Sequence, residues 1–199
     1  MNSRIKGLYA IADAQTSPDP VRLAAQMLEG GCRLIQLRAK TWSADDILNA
    51  ANQIMPLVQR YNAVFIVNDH PHIAAACNAH GVHVGQTDGE AMNVRRIIGP
   101  NRILGRSTNS IVEIKRAMEE ANYLAFGPIF PTTHLSRPKS VRGLTLLHQA
   151  RSLCPLPLVA IGGLNKQRLA EVRRLADSWA VIGAIAGSPD PVAATRELL

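Results

Sequence analysis

The stretch VFIVND, from Val64 to Asp69, decides the fold of this chain. Four apolar residues in a row are typical of a short strand that is buried on both faces of a parallel sheet. The run ends in an amide and a carboxylate, Asn68 and Asp69, so polar groups follow directly on the strand. Seven other short apolar runs occur along the chain, and most of them also end in small, charged or amide residues.

These eight runs are predicted strands, separated by segments with helical periodicity. The strands begin near Leu8, Leu34, Val64, Val82, Ile103, Tyr123, Leu158 and Trp179. Helix-start signals support the intervening helices, among them Ser43 with Asp46 three residues later and Asp190 before Pro191. This alternation implies a parallel α/β sheet with right-handed crossovers. Eight units predict a single-domain (β/α)8 TIM barrel over residues 1–199, with functional groups at the carboxyl ends of the strands.

An open doubly wound sheet, flavodoxin-like or Rossmann-like, is the alternative fold. It would need five or six strands and, for a dinucleotide, a Gly-x-Gly-x-x-Gly turn after the first strand. The first predicted strand ends in Ala12-Asp13 without a glycine, which favours the barrel. A chain of 199 residues is short for such a barrel, so most loops must be tight. The longest irregular stretch, Pro131 to Gly143, is a candidate active-site loop.

The formal net charge of +7 fits a site for anionic substrates, a solvated basic surface or nucleic acid. Nucleic acid is disfavoured because the charges are scattered along predicted helices and are not interleaved with aromatic residues. Three cysteines at wide spacing give no disulfide or zinc pattern. No signal peptide precedes Leu8 and no apolar run approaches the ~20 residues that span a bilayer, so we expect a cytoplasmic protein without a membrane partner. Homo-oligomer formation is left open.

Two aspartates at neighbouring strand ends predict a magnesium site. Asn68-Asp69 follows the third strand and Asp88 follows the fourth. Mg²⁺ prefers carboxylate oxygens and usually binds through one or two of them together with substrate phosphates. The alternative is that Asp69 or Asp88 caps the helix that follows it.

Arg38 and Lys40 stand on alternate residues after the second strand, in the same register as Gln36. Beside Mg²⁺ they would form a pyrophosphate clamp; alternatively they are a surface pair. Gly162-Gly163 precedes a predicted helix near Asn165, an arrangement that suits a phosphate but also an ordinary tight turn.

The histidines form no cluster, and no Ser-His-Asp or Cys-His constellation is visible. His83 lies inside a predicted strand and is interpreted as structural. His134 lies in the long loop and is the one candidate for proton transfer. Two anion sites of different character therefore remain, one for Mg-pyrophosphate and one for a monophosphate. A reaction that joins a pyrophosphate-activated fragment to a phosphorylated one would need both.

Eight segments follow one another along nearly the whole chain: LYAIAD, GCRLIQLRAK, VFIVND, GVHVGQTD, ILGRST, FGPIFPT, VAIGGL and VIGAI. In these segments and in their order, the chain resembles the thiamine phosphate synthase / thiazole tautomerase (TenI-like) superfamily, and is closest to its synthases. The resemblance implies a Mg²⁺-dependent transferase of thiamine biosynthesis. Such an enzyme condenses hydroxymethylpyrimidine pyrophosphate with thiazole phosphate and releases pyrophosphate.

The resemblance also implies roles for individual residues. Gln36 and Ser107 would contact the pyrimidine. The pyrophosphate would be held by Arg38, Lys40 and Asn68, with Mg²⁺ at Asp69 and Asp88. The thiazole phosphate would be held by Thr132, Thr133, His134, Gly163, Ile182 and Gly183. Arg38, Lys40 and Ser107 are the implied catalytic residues, with His134 added for proton transfer.

Two positions depart from the synthase pattern. Leu135 stands where the family usually has a pyrophosphate-binding Lys, and Gly183 where it usually has a Ser. These losses raise the alternative of a thiazole tautomerase, which needs a general acid/base in place of Mg²⁺. A non-catalytic binder of thiamine intermediates is the other alternative. Pro128 stands where the tautomerase used for comparison has a His, and this favours the synthase together with the retained Asp69 and Asp88.

Overall fold

The computed structural model describes residues 4–132 and 140–199. Eight parallel strands, paired in sequence order, close into a barrel. The strands are β1 Gly7–Asp13, β2 Leu34–Arg38, β3 Val64–Asn68, β4 Gly81–Val84, β5 Ile103–Thr108, β6 Tyr123–Phe126, β7 Leu158–Ile161 and β8 Ser178–Val181. The predicted (β/α)8 barrel is confirmed, and each strand begins within one residue of its predicted start.

Helices connect the strands on the outside of the barrel. In the described residues they are α1 Pro20–Glu29, α2 Ala44–Arg60, α3 Pro71–Ala76, α4 Ala91–Ile98, α5 Ile111–Ala117, α6 Gly143–Leu153, α7 Leu169–Val172, α8 Gly183–Ala186 and α9 Pro191–Glu197. The predicted caps are present: Ser43 accepts a hydrogen bond from the Asp46 N–H, and Asp190 accepts one from the Ala193 N–H. The helix predicted near Asn165 is shorter than expected, since a 3₁₀ turn, Lys166–Arg168, precedes the four-residue α7.

Side chains of the strands point alternately into the barrel and towards the helices, which separates two apolar cores. The inner core fills the barrel and consists of Ile5, Tyr9, Ile11, Leu34, Val64, Ile66, Ile103, Tyr123, Ala125, Val159 and Ala180. The outer core joins the barrel to its helices and contains the other face of each strand, such as Phe65 and Val67 of β3. The inner core fills the interior of the barrel beneath the carboxyl ends of the strands, and the polar residues lie at those ends.

β1 and β8 complete the barrel through pairs that run from Gly7 opposite Ser178 to Ala10 opposite Val181. Because all strands are parallel, their carboxyl ends meet at one rim, and this rim carries the site. None of the helices in residues 4–132 and 140–199 has the length and apolar character needed to span a membrane.

Candidate active site

A cavity of about 510 Å³ opens at the carboxyl ends of the strands. It gathers eight of the residues that the sequence analysis assigned to the site: Gln36, Arg38, Lys40, Asn68, Asp69, Asp88, Ser107 and Ile182. They come from strand ends between β2 and β8. The structure therefore brings together side chains that are up to 146 residues apart in sequence.

A second cavity, of about 540 Å³, adjoins the first. Thr132, Gly163, Ile182 and Gly183 line it, which are the described residues predicted for the thiazole phosphate. The two cavities share part of their walls, namely Ile161, Gly162, Ala180 and Ile182. The other two predicted positions of the long loop, Thr133 and His134, lie outside the described residues, as does Leu135, which stands in place of the family's Lys.

Asp69 and Asp88 lie against each other at the mouth of the first cavity. Burial, together with the contact and charge of Asp88, raises the pKa of Asp69. Burial also works to raise the pKa of Asp88, but hydrogen bonds from Asp69 and from the Gly85 N–H lower it overall. Lys40 Nζ lies 3.3 Å from an Asp69 oxygen. The pair is thus two carboxylates in contact, only partly neutralised by one ammonium group.

Neither aspartate caps a helix, which was the alternative interpretation. α3 begins after His70 and α4 after Glu90, and neither helix has a side-chain cap. Asp69 instead has a φ of +62°, a left-handed conformation that is uncommon for residues other than glycine. Asp88 accepts a hydrogen bond of 2.8 Å from the Gly85 N–H and so closes the loop after β4.

This donor set fits Mg²⁺. Two carboxylates in contact repel each other when both are ionised, and a divalent cation between them removes that repulsion. Within residues 4–132 and 140–199, no group of three or more His, Cys, Asp and Glu forms a fuller metal site. Mg²⁺ commonly takes one or two protein carboxylates and completes its coordination with water and substrate phosphate oxygens.

Arg38 is held by two residues that the sequence analysis did not assign to the site. Its guanidinium donates to Asp13 Oδ2 at 2.5 Å and to Gln15 Oε1 at 3.1 Å. Asp13 is buried at the end of β1 and is paired in register with Arg38 of β2. A guanidinium has five N–H donors, so this anchoring fixes its direction and leaves other N–H groups able to bind an anion in the cavity.

Four hydrogen bonds cross the inside of the barrel from Gln36 to Ser107. Gln36 Nε2 donates to Tyr9 Oη at 2.7 Å, and Tyr9 Oη lies 2.9 Å from Tyr123 Oη. Tyr123 Oη lies 2.9 Å from His83 Nδ1, and His83 Nε2 lies 2.8 Å from Ser107 Oγ. We call this set, Gln36, Tyr9, Tyr123, His83 and Ser107, the interior relay.

Burial and the nearby Arg106 charge lower the pKa of His83 to about 4, so its ring is neutral at neutral pH. His83 is buried in β4, yet it lines the cavity with Tyr9. The sequence analysis gave no role in the site to Tyr9, Tyr123 or Asp13. The sequence signal that could have found the tyrosines is the alternation of side chains along β1 and β6. With the register of the strands known, it predicts that Tyr9 and Tyr123 face the barrel axis.

The glycine pair after β7 forms the floor of the second cavity. Both glycines adopt positive φ values, +104° for Gly162 and +64° for Gly163. A Cβ on Gly163 would collide with the carbonyl oxygen of Pro131, so this turn needs glycine for space as well as for conformation. Arg168 braces the turn: it donates to the Gly163 carbonyl and stacks over the Phe130 ring at 4.6 Å.

Together, a closed parallel barrel and two adjoining cavities at its carboxyl rim define a (β/α)8 barrel with a candidate active site at the usual end of this fold. The model of the thiamine monophosphate synthase family matches residues 8–185, and the chain belongs to this family.

Curated relatives and a solved structure agree with that assignment. A thiamine-phosphate synthase of Chlorobium phaeovibrioides is 42% identical over 182 residues, which cover 90% of this chain and 87% of the relative. A thiamine-phosphate synthase of Thermosynechococcus vestitus is 43% identical over 175 residues, 86% of this chain but only 49% of that longer relative. The structure of thiamine phosphate pyrophosphorylase from Pyrococcus furiosus superposes with a TM-score of 0.90 at 35% identity and covers 99% of this chain and 94% of that one. The resemblance predicted from the sequence is confirmed, and these relatives lie on its synthase side.

Proposed function

We propose that this chain is a thiamine phosphate synthase. It joins hydroxymethylpyrimidine pyrophosphate to thiazole phosphate and releases pyrophosphate. The observation that carries the proposal is the pair of adjoining cavities, one with an acidic pair and two cations and the other with a glycine-rich turn. A condensation of two phosphorylated fragments requires two anion sites that meet at the reacting atoms.

The residues of the first cavity hold the pyrophosphate in this proposal. Arg38, Lys40 and Asn68 bind its oxygens, and Asp13 keeps the Arg38 guanidinium in place. Asp69 and Asp88 would hold Mg²⁺, which supplies charge stabilisation to the leaving pyrophosphate when it is bound. Cleavage of the bond between the methylene carbon and the pyrophosphate oxygen leaves a carbocation-like methylene on the pyrimidine.

The thiazole nitrogen then attacks that methylene, so the protein needs no nucleophile of its own. Thr132, Gly163, Ile182 and Gly183 orient the thiazole through its phosphate. Gly183 cannot supply the hydroxyl that the family's usual Ser would offer, so the phosphate depends on backbone N–H groups and on Thr132.

The acidic pair favours the synthase over the tautomerase. A tautomerase needs a general acid/base in the cavity, and the buried histidine there, His83, has both ring nitrogens in hydrogen bonds. Its lowered pKa, about 4, also makes it a weak base for a proton transfer at neutral pH. Two carboxylates in contact can hold the Mg²⁺ that the synthase requires and the tautomerase does not.

The first experiment is to mix the purified protein with Mg²⁺, hydroxymethylpyrimidine pyrophosphate and thiazole phosphate, and to follow thiamine phosphate. We expect turnover that EDTA abolishes and that added Mg²⁺ restores. A folded protein that produces no thiamine phosphate would contradict the proposal, and the thiazole carboxylate phosphate would then be the next substrate to test.

The metal assignment has its own test in Asp88→Asn. The amide keeps the size of the side chain but removes one of the two charges, so we expect half-maximal activity to require at least about tenfold more Mg²⁺. Asp45→Asn, on the exposed first turn of α2, is the matched control. If Asp88→Asn and Asp45→Asn have the same Mg²⁺ dependence as the unmodified protein, Asp88 does not bind the metal.

A further inference from the structure

The interior relay begins and ends at residues that line the first cavity. Gln36 of β2 and Ser107 of β5 lie at its two ends, and Tyr9, Tyr123 and His83 connect them, with Tyr9 and His83 also lining the cavity. The surrounding inner core is otherwise apolar, and a phenylalanine would fill either tyrosine position without needing a hydrogen-bond partner. A continuous polar path through such a core calls for a reason beyond packing.

The barrel makes space for this path. A Cβ on Gly105 would collide with the ring and hydroxyl of Tyr123, so β5 carries glycine where β6 turns Tyr123 inward. Tyr9 and Tyr123 pack edge to face, with centroids 6.1 Å apart, and the His83 ring stacks on Tyr123 at 5.4 Å. Tyr9 and Tyr123 are both fully buried, so their hydroxyls lie where an unpaired group would be costly.

Proton counting gives the relay a direction. Gln36 donates its amide N–H to Tyr9 Oη, so Tyr9 uses its own proton towards Tyr123. Tyr123 then uses its proton towards His83 Nδ1, which must accept it. Burial raises the pKa of both tyrosines, so both hydroxyls keep their protons. A neutral His83 that accepts at Nδ1 carries its one proton on Nε2 and donates it to Ser107 Oγ.

We propose that the interior relay sets the hydrogen-bond polarity of the pyrimidine subsite and makes Tyr9, Tyr123 and His83 positioning residues for substrate selection. It presents the Gln36 carbonyl oxygen as an acceptor and the Ser107 hydroxyl as a donor. An aminopyrimidine offers the complementary groups, an exocyclic amine that donates and a ring nitrogen that accepts. A 4-oxo pyrimidine reverses this pattern, with a carbonyl that accepts and a ring N–H that donates. The inference rests on the proposed function.

The tautomer of His83 is the direct test, and it does not depend on activity. The protein is labelled with ¹⁵N-histidine, and the His83 signals are identified by their loss in His83→Gln. At neutral pH we expect a proton on Nε2 and none on Nδ1. In Tyr123→Phe, Nδ1 loses its hydrogen-bond donor, so we expect the Nδ1 ¹⁵N signal to move downfield, to that of an unprotonated ring nitrogen without a donor, while the proton stays on Nε2 towards Ser107. A spectrum of the unmodified protein with the proton on Nδ1 would overturn the proposal.

The preference for the aminopyrimidine substrate over a 4-oxo analogue tests whether the relay selects the substrate. We expect Tyr123→Phe to lower kcat/KM for hydroxymethylpyrimidine pyrophosphate about tenfold, as the loss of one oriented hydrogen bond does. The KM for thiazole phosphate should stay unchanged, and the preference over the 4-oxo analogue should fall by a similar factor. Tyr61→Phe is the matched control, since Tyr61 lies on α2's end beside Arg33 and Arg60, away from the cavity. Tyr9→Phe interrupts the relay at another point and should reproduce the effect, which covers the case in which Tyr123→Phe does not fold.

The outcomes separate the two proposals. An unchanged preference for the amino substrate in both folded tyrosine variants overturns the relay's role, whatever the synthase activity. If the unmodified protein does not turn over its substrates, the proposed function fails, and the tautomer spectrum still supports or overturns the polarity of the relay.

Discussion

His83 shows how a single buried residue links the stability of the barrel to its site. Both of its ring nitrogens are hydrogen-bonded, and its ring stacks on Tyr123. Protonation would place a cation in the inner core, near Arg106, and would remove the acceptor that Tyr123 uses. Burial and that neighbouring charge are the reasons why its pKa falls to about 4.

This lowered pKa predicts a loss of stability in mild acid. The unfolded chain binds a proton at His83 below pH 6.5, whereas the folded chain binds it only below about 4. The free energy of unfolding therefore falls as the pH drops between these values, by about 2 kcal/mol from pH 7 to pH 5. Urea unfolding at the two pH values measures it. His83→Gln should lose most of this dependence and the exposed His72→Gln should keep it; equal dependence in both variants would show that His83 is not the group responsible.

At the scale of elements, the turn between β7 and α7 shapes the second cavity, which we propose as the thiazole phosphate subsite. It is held from one side by Pro131 and Phe130, which leave no room for a Cβ on Gly163, and from the other by Arg168. α7 itself has four residues, so its dipole contributes little and the position of the turn matters more than the helix.

Gly163→Ala should therefore weaken one substrate selectively. The added Cβ must displace the turn, so we expect the KM for thiazole phosphate to rise about tenfold or more, with a much smaller change for the pyrimidine substrate. Gly99→Ala is the control: Gly99 also has a positive φ, +77°, but nothing lies within 4 Å of its added Cβ. It should lose stability without a change in either KM. If Gly163→Ala does not raise the KM for thiazole phosphate more than that for the pyrimidine substrate, this turn does not belong to the phosphate site.

The elements were predictable from the sequence because their signals are local. The start of α2 follows from the signal of Ser43 with Asp46, and β3 follows from the run VFIVN. The polar residues at the strand ends were also predictable, because parallel strands bring their carboxyl ends to one rim. The length of α7 was not, since the signal at Asn165 marks a start but not an end.

The missed residues depend on register across the barrel. Tyr9 and Tyr123 are 114 residues apart and meet only because β1 and β6 both turn these positions inward. Asp13 meets Arg38 because β1 and β2 pair with those residues opposite each other. No local sequence pattern predicts these two contacts. They can be predicted only when the pairing and the register of all eight strands are known.

At the scale of the whole molecule, the barrel places two cavities side by side and gives them a common wall. Ala180 of β8 belongs to that wall and to the inner core, between Tyr9 of β1 and Ile161 of β7. Its side chain is a single methyl group, so it occupies little of the space between the two cavities.

Ala180→Leu tests this arrangement, since it adds three carbons at the point where both cavities meet. We expect kcat/KM to fall at least about tenfold for both substrates, because neither fragment can reach the position from which the other reacts. Overpacking will cost about 1–3 kcal/mol of stability, so activity is compared below the unfolding temperature. Ala170→Leu, on the exposed side of α7, is the matched control and should change neither substrate. An Ala180→Leu protein that loses one substrate only would mean that the cavities act separately and that Ala180 belongs to just one of them.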